Sequence, residues 1–266
     1  MPEPAPGHLP LSANLGAGFL FSDRPLPDAV RAAGAAGFDA VELHWPYDVP
    51  IPALKAALDE TGLPVIGLNT PRGDVAAGEN GLAALPGREA EAAAALEQAL
   101  TYGAAIGARA VHVMAGFAQG PEAEACFLAN LARGAEVAAA HGMTLLIEPL
   151  NARDVPGYFL STATQAEALL TRLGSPHVRM MFDCYHLQIM GGDLTRLFER
   201  LGPLVGHIQF AGVPDRAEPD RGEIAYDRLL PVLAAAGHAG PFGAEYRPRG
   251  RTEDGLAWMR AFRPRM

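Results

Sequence analysis

Short β-prone apolar runs alternate with longer Ala/Leu-rich runs from one end of the chain to the other, and this alternation predicts a parallel α/β fold. The apolar runs place strands at 11–14, 40–43, 65–69, 110–114, 144–148, 178–183, 205–209 and 242–245. Helical patterns follow each of them, at 26–36, 52–61, 88–106, 121–141, 163–173, 193–201, 226–236 and 252–262. Several helices carry an explicit stop, as at His141-Gly142, Leu173-Gly174 and Ala236-Gly237, where glycine suits a left-handed C-cap. Eight βα units in a chain of 266 residues match the size and count of a closed (β/α)8 barrel. An open doubly wound sheet fits less well, because Gly16 and Gly18 after the first strand lack the third glycine of a dinucleotide-binding turn. No change of composition divides the chain, so a short flexible tail at 1–10 and a single barrel domain at 11–266 are expected. Two connections exceed the usual length, 70–87 and 211–224, and both are candidate lids. The arginines at 247, 249, 251, 260, 263 and 265 read as a solvated last helix and tail, with Arg247 nearest the strand end.

Composition narrows the partners. At 49% apolar and 19% charged the chain builds a sizeable core and is not disordered. Counting 21 basic against 30 acidic side chains gives a net charge of −9, which offers no uniform positive surface, so nucleic acid is not an expected partner. No uncharged apolar run reaches membrane-spanning length, and the proline-rich start MPEPAPGHLP has no apolar h-region, so a protein with no membrane association is expected. Cys126 and Cys184 form no finger or redox spacing and fit a cytoplasmic location. A homo-oligomeric state is left open.

In such a barrel the chemistry sits at the C-terminal ends of the strands, and here every strand ends on a polar residue. These are Asn14, then Glu42 with His44, Asn69, His112, Glu148, Asp183, Gln209 and Glu245. The last four each close a short apolar run about one βα unit apart, which puts four oxygen donors on neighbouring strands. Three uncompensated carboxylates converging on one mouth repel one another, and a cation resolves that repulsion. Oxygen ligands favour Mg²⁺ or Mn²⁺ over Zn²⁺.

The segments IEPLN at 147–151, FDCYH at 182–186, HIQFA at 207–211 and GAEY at 243–246, with PDRAEPDRGEI at 214–224, resemble the hydroxypyruvate isomerase family of the xylose-isomerase-like TIM barrels. SANL at 12–15, AVEL at 40–43, the glycines and acids of 73–89, and MAG at 114–116 extend the resemblance over nearly the whole chain. It implies that Glu148, Asp183, Gln209 and Glu245 bind a divalent metal, Mg²⁺ or Mn²⁺, and that Glu148 and Glu245 also donate and accept the proton. The implied reaction interconverts hydroxypyruvate and 2-hydroxy-3-oxopropanoate (tartronate semialdehyde) through an enediolate. Related ketose 3-epimerases usually carry His where this chain has Gln209, which favours the isomerase branch over the epimerases.

A small hydroxy-oxo acid substrate needs a counter-charge, and Arg216 in the second long connection is the first candidate, with Arg72 behind it. His186, three residues after Asp183, is placed to bond a substrate oxygen; Asn69 and His112 complete the expected substrate-binding set. His44 and His112 also have a second reading, as groups that orient others, and Glu223 one as a loop anchor. A 2-oxo-tetronate isomerase is the nearest rival activity. More distant rivals are a DNA-repair endonuclease, which wants a histidine-rich zinc site and a basic face, and a non-catalytic binding barrel.

Overall fold

The computed structural model describes residues 8–263. Eight parallel strands close on themselves in chain order: β1 (Leu11–Leu15), β2 (Ala40–Leu43), β3 (Val65–Asn69), β4 (Ala110–His112), β5 (Thr144–Ile147), β6 (Val178–Asp183), β7 (Val205–Phe210) and β8 (Phe242–Ala244), with β8 pairing β1. Around them run α1 (Leu26–Ala35), α2 (Ile51–Thr61), α3 (Glu89–Ile106), α4 (Gly120–Ala140), α5 (Ala163–Leu173), α6 (Cys184–Met190), α7 (Leu194–Leu201) and α8 (Tyr226–Ala235). The expected (β/α)8 barrel is therefore present, with two departures among its helices.

The first departure follows β6. A single helix is expected at 193–201, but α6 begins at once after Asp183, whose Oδ1 accepts from the Tyr185 N–H at 2.8 Å and caps it. The same residue ends a strand and starts a helix, leaving no loop signal to read. The second departure is at 252–262, where 3-10 turns replace the expected α-helix. Trp258 and Phe262 are buried there, and Gly255 lies so close to Glu218 that a Cβ would come 2.9 Å from its Oε1. This segment follows the surface that it covers and not the helical period. Nor is it merely solvated: Arg249 is paired with Glu218 at 2.8 Å and Arg263 with Asp39 at 2.9 Å. Residues 1–7 of the expected tail lie outside the described residues; Leu9 N–H donates to Phe262 O at 3.0 Å.

The main core lies between the outer strand faces and the helices, with Leu11, Val41, Val111, Leu145, Phe182, Ile208 and Phe242 among its members. Inside the barrel Ala110, Leu146 and Met181 form a small apolar cluster. Much of the remaining interior is polar, with Ser12, Asn14, Glu42, His112, His207 and Gln209 all buried. Branched apolar side chains normally fill these layers, so a polar interior marks the end of the barrel built for chemistry.

Neither long connection is a free flap. The first is pinned where Gly81 bridges Ala115, an approach that places a Gly81 Cβ 2.5 Å from the Met114 backbone and requires glycine at a φ of +120°. The second buries Val213, Ala217 and Glu218, and Glu223 N–H closes it on Val213 O at 3.0 Å. Glu223 also accepts from Gln188 at 3.2 Å, in keeping with an anchoring role. Cys126 and Cys184 are separate buried thiols, and no helix among the described residues is long and apolar enough to cross a membrane.

Candidate active site

Register brings the strand-end residues together. Asp183 stands beside Gln209, Gln209 beside Gly243, and Glu245 follows Gly243 by two residues and so points into the same mouth. Glu148 is the first residue past β5. Ligand atoms of Glu148, Asp183 and His186 lie within 4.8 Å of one another, all buried. Placing three carboxylates under such cover demands compensation, and the protein supplies it unevenly.

Glu245 is the best provided. Its Oε1 accepts from His44 Nε2 at 2.7 Å and from Asn14 Nδ2 at 3.1 Å, and its Oε2 accepts from Arg216 Nη2. Burial pushes this carboxyl up, but Arg216 and His44 outweigh it and hold Glu245 well below the usual carboxylate range. Glu148 is the opposite case. Burial, then the charges of Glu245 and Asp183, push its carboxyl well above the ordinary value. Asp183 is pushed up to about 7 by burial, with Arg216 opposing and Glu245 reinforcing. Two glutamates of one mouth are therefore driven toward opposite protonation states.

Arg216 is the sequence candidate whose placement differs most from expectation. Its guanidinium is turned inward onto Glu245 and lies 3.8 Å from Asp183 Oδ2, while its Nε is buried without a partner. Burial works against its charge, and Glu245, Asp183 and Glu148 overcome that effect. Arg72 lies on the rim, stacked 3.8 Å over the Trp45 ring.

His186 has a defined role. Its Nδ1 accepts from the Asn151 backbone N–H at 2.9 Å, so the ring proton belongs on Nε2. Nε2 lies 3.7 Å from Asp183 Oδ2 and 3.8 Å from Glu148 Oε1 and has no hydrogen-bond partner. Burial, with the nearby Arg216 charge, holds this imidazole neutral. Although it sits at ligand distance from the carboxylates, the Asn151 bond makes it a donor into the site and not a metal ligand. His112 Nδ1 is 3.6 Å from Glu148 Oε2, and burial lowers its pKa to about 4. Asn69 lies at the end of β3, where its backbone O accepts from the Tyr47 hydroxyl.

Among the described residues four buried side-chain oxygens have no hydrogen-bond partner: Asn14 Oδ1, Glu148 Oε1, Asp183 Oδ2 and Gln209 Oε1. Orphaned oxygens in a buried site are costly, and a hard divalent cation would satisfy them. The residues present therefore fit a metal. Buried polar residues that sequence reasoning left without a role are Ser12, Glu42 and His207 below the mouth, and Asn151, whose N–H donates to His186 Nδ1.

Residues 30–262 match the family described as xylose isomerase-like TIM barrel. The 2-oxo-tetronate isomerase of Cupriavidus necator is 44% identical over 255 residues, covering 94% of this chain and 97% of that protein. Hydroxypyruvate isomerase of Escherichia coli is 36% identical over 260 residues, covering 96% of this chain and 100% of that one. A solved structure from Brucella melitensis, named AP endonuclease, family 2, superposes with a TM-score of 0.92 at 42% identity, covering 96% of this chain and 100% of that one. The chain belongs to the hydroxypyruvate isomerase family of the xylose isomerase-like TIM barrels, and it is an isomerase.

Proposed function

We propose that this isomerase interconverts a short 2-oxo-3-hydroxy acid with its 2-hydroxy-3-oxo isomer, hydroxypyruvate and 2-hydroxy-3-oxopropanoate being the three-carbon pair. One observation carries the reading: Glu148 and Glu245, just past β5 and β8, are both buried at the mouth of one barrel. Moving a carbonyl by one carbon needs one group to remove a proton beside it and another to return a proton to the neighbouring carbon. Glu245, held ionised, is poised to take the C3 proton. Glu148, in the same mouth, would return a proton drawn from solvent to C2, while the O3 hydroxyl proton passes to O2.

Glu148, Asp183, Gln209 and Glu245 would hold Mg²⁺ or Mn²⁺, and the ion would supply positive charge for the enediolate oxygens. His186 donates from Nε2 to a substrate oxygen, and its Asn151 bond keeps it from competing for the proton at carbon. Arg216, with an Nε still unpaired, offers the substrate carboxylate a charged donor; His112 Nδ1 lies 3.6 Å from Glu148 Oε2, and Asn69 lines a small cavity with His112 and Gln209. A mouth lined by three carboxylates is a poor seat for a DNA backbone.

A four-carbon 2-oxo acid is the second reading, favoured by the 44% identity to the Cupriavidus necator protein. Measuring kcat/KM for hydroxypyruvate and 2-oxo-tetronate separates the two. Failure to isomerise either acid overturns the proposal.

Metal binding should also depend on pH with a definite sign. Asp183 is pushed up to about 7 and Glu148 is raised as well, so the metal-free site holds protons that the ion must displace. Affinity should therefore fall as pH drops below about 7, and calorimetry in buffers of different ionisation enthalpy should show proton release. Constant affinity between pH 5.5 and 8 would contradict these assignments.

A further inference from the structure

Beneath the mouth the barrel interior holds a second charged group, Glu42, which the reaction does not use. Its Oε2 accepts from Gln209 Nε2 at 2.7 Å. Its Oε1 accepts from the Ser12 hydroxyl and lies 3.1 Å from His207 Nε2. Glu42 is 4% exposed and Gln209 2%, so no water-facing orientation is open to either.

A glutamine amide has two ends of nearly equal size and opposite hydrogen-bonding character. Close to carboxylates, the end that would ordinarily turn toward them is NH₂, which donates to anions. Here the carboxylate that the amide meets is Glu42, below the mouth. The NH₂ is turned down into Glu42, and Oε1 is left buried without a partner. A carboxylate only accepts, so Glu42 cannot pair with the amide oxygen and permits one orientation alone. Glu42 is itself held in place. A Cβ on residue 243 would stand 2.3 Å from Glu42 Oε1 and 2.9 Å from both Gln209 Cγ and His207 Nε2, so glycine on β8 leaves the space that the group fills.

We infer that Glu42 is a positioning residue: by binding the amide nitrogen of Gln209 it leaves the amide oxygen, on the strand beside Asp183, as the free end, and so makes a neutral side chain an oxygen ligand. This rests on the reading that Gln209 helps to hold a divalent ion. Partners of this kind, one bond removed from the metal, commonly change affinity about 10–100-fold.

The test is a double-mutant cycle read by Mn²⁺ binding, with the free-ion EPR signal as the measure and activity not needed. Glu42→Met should weaken Mn²⁺ binding about 10-fold or more. Gln209→Met should do the same, and the double variant should bind as Gln209→Met does, because the effect of Glu42 passes through the amide. A loss caused by general loosening of the barrel would persist in the Gln209→Met background. Should Glu42→Met fail to fold, Glu42→Asp keeps the charge beside Ser12 and His207 but draws the acceptor back by a methylene. It should show a several-fold loss that vanishes in the same background. Wild-type affinity in the folded Glu42 variants, or a further loss in the double variant, overturns the positioning role. If the wild-type protein binds no Mn²⁺, the metal reading itself falls, and the positioning role with it.

Discussion

Stripping the divalent ion will reduce turnover by about 10³-fold or more, and Mg²⁺ or Mn²⁺ will restore it. Charge stabilisation by a bound cation contributes several kcal/mol to a transition state that develops an oxyanion, and each 1.36 kcal/mol is about tenfold in rate. The metal-free mouth is poorly equipped to replace that charge. Arg216, its one guanidinium against the carboxylates, is already committed to Glu245. Glu148 Oε1, Asp183 Oδ2 and Gln209 Oε1 would be left facing substrate oxygens with nothing between them. The check is activity alongside elemental analysis. A protein shown to be metal-free that turns over at the original rate would remove the ion from the account.

Glu148→Gln and Glu245→Gln should each lower kcat by about 10² to 10⁴, the range for loss of a positioned acid or base. Glutamine keeps an oxygen for the ion but cannot exchange a proton at the substrate carbon, so metal content should change far less than rate. Because the equilibrium between the isomers is fixed, each variant should lose the same factor of kcat/KM in both directions. The double variant should cost little more than the worse single one, since the two act as a unit. Near-normal turnover with either change would remove that residue from the proton transfer. A loss of rate matched by a loss of metal would reassign it to ion binding alone.

The fold was legible because a parallel barrel repeats one unit, and each unit carries both of its signals: an apolar run for the strand and an Ala/Leu run for the helix. The mouth was legible for a related reason. Glu148, Asp183, Gln209 and Glu245 each interrupt an apolar run where the barrel opens, and strand register sets Asp183 beside Gln209 and Gln209 beside Gly243, two residues before Glu245. The layer below was only partly read: Glu42 was named as a strand end, but Ser12 and His207 were not singled out. Ser12 with Asn14, Glu42 with His44 and His207 with Gln209 are spaced by two, the period of one strand face, so a polar residue two positions before a site residue points into the same interior. What the sequence could not show was long-range pairing. Arg216 was expected to meet a substrate carboxylate. The turn at 211–224 places it at a φ of +54°, with its guanidinium on Glu245, a contact that depends on loop geometry and not on any local pattern. The Asn151 bond that fixes the His186 tautomer likewise joins the loop after β5 to α6.

The central claim, proton-transfer isomerisation of a short 2-oxo acid, is tested most directly by proton NMR of hydroxypyruvate incubated with the Mg²⁺-loaded protein in D₂O. The account predicts loss of the C3 methylene signal faster than in buffer alone, growth of the 2-hydroxy-3-oxopropanoate aldehyde signal, and deuterium entering at C2 of the product. An unchanged spectrum at full metal occupancy, with 2-oxo-tetronate equally untouched, would contradict it.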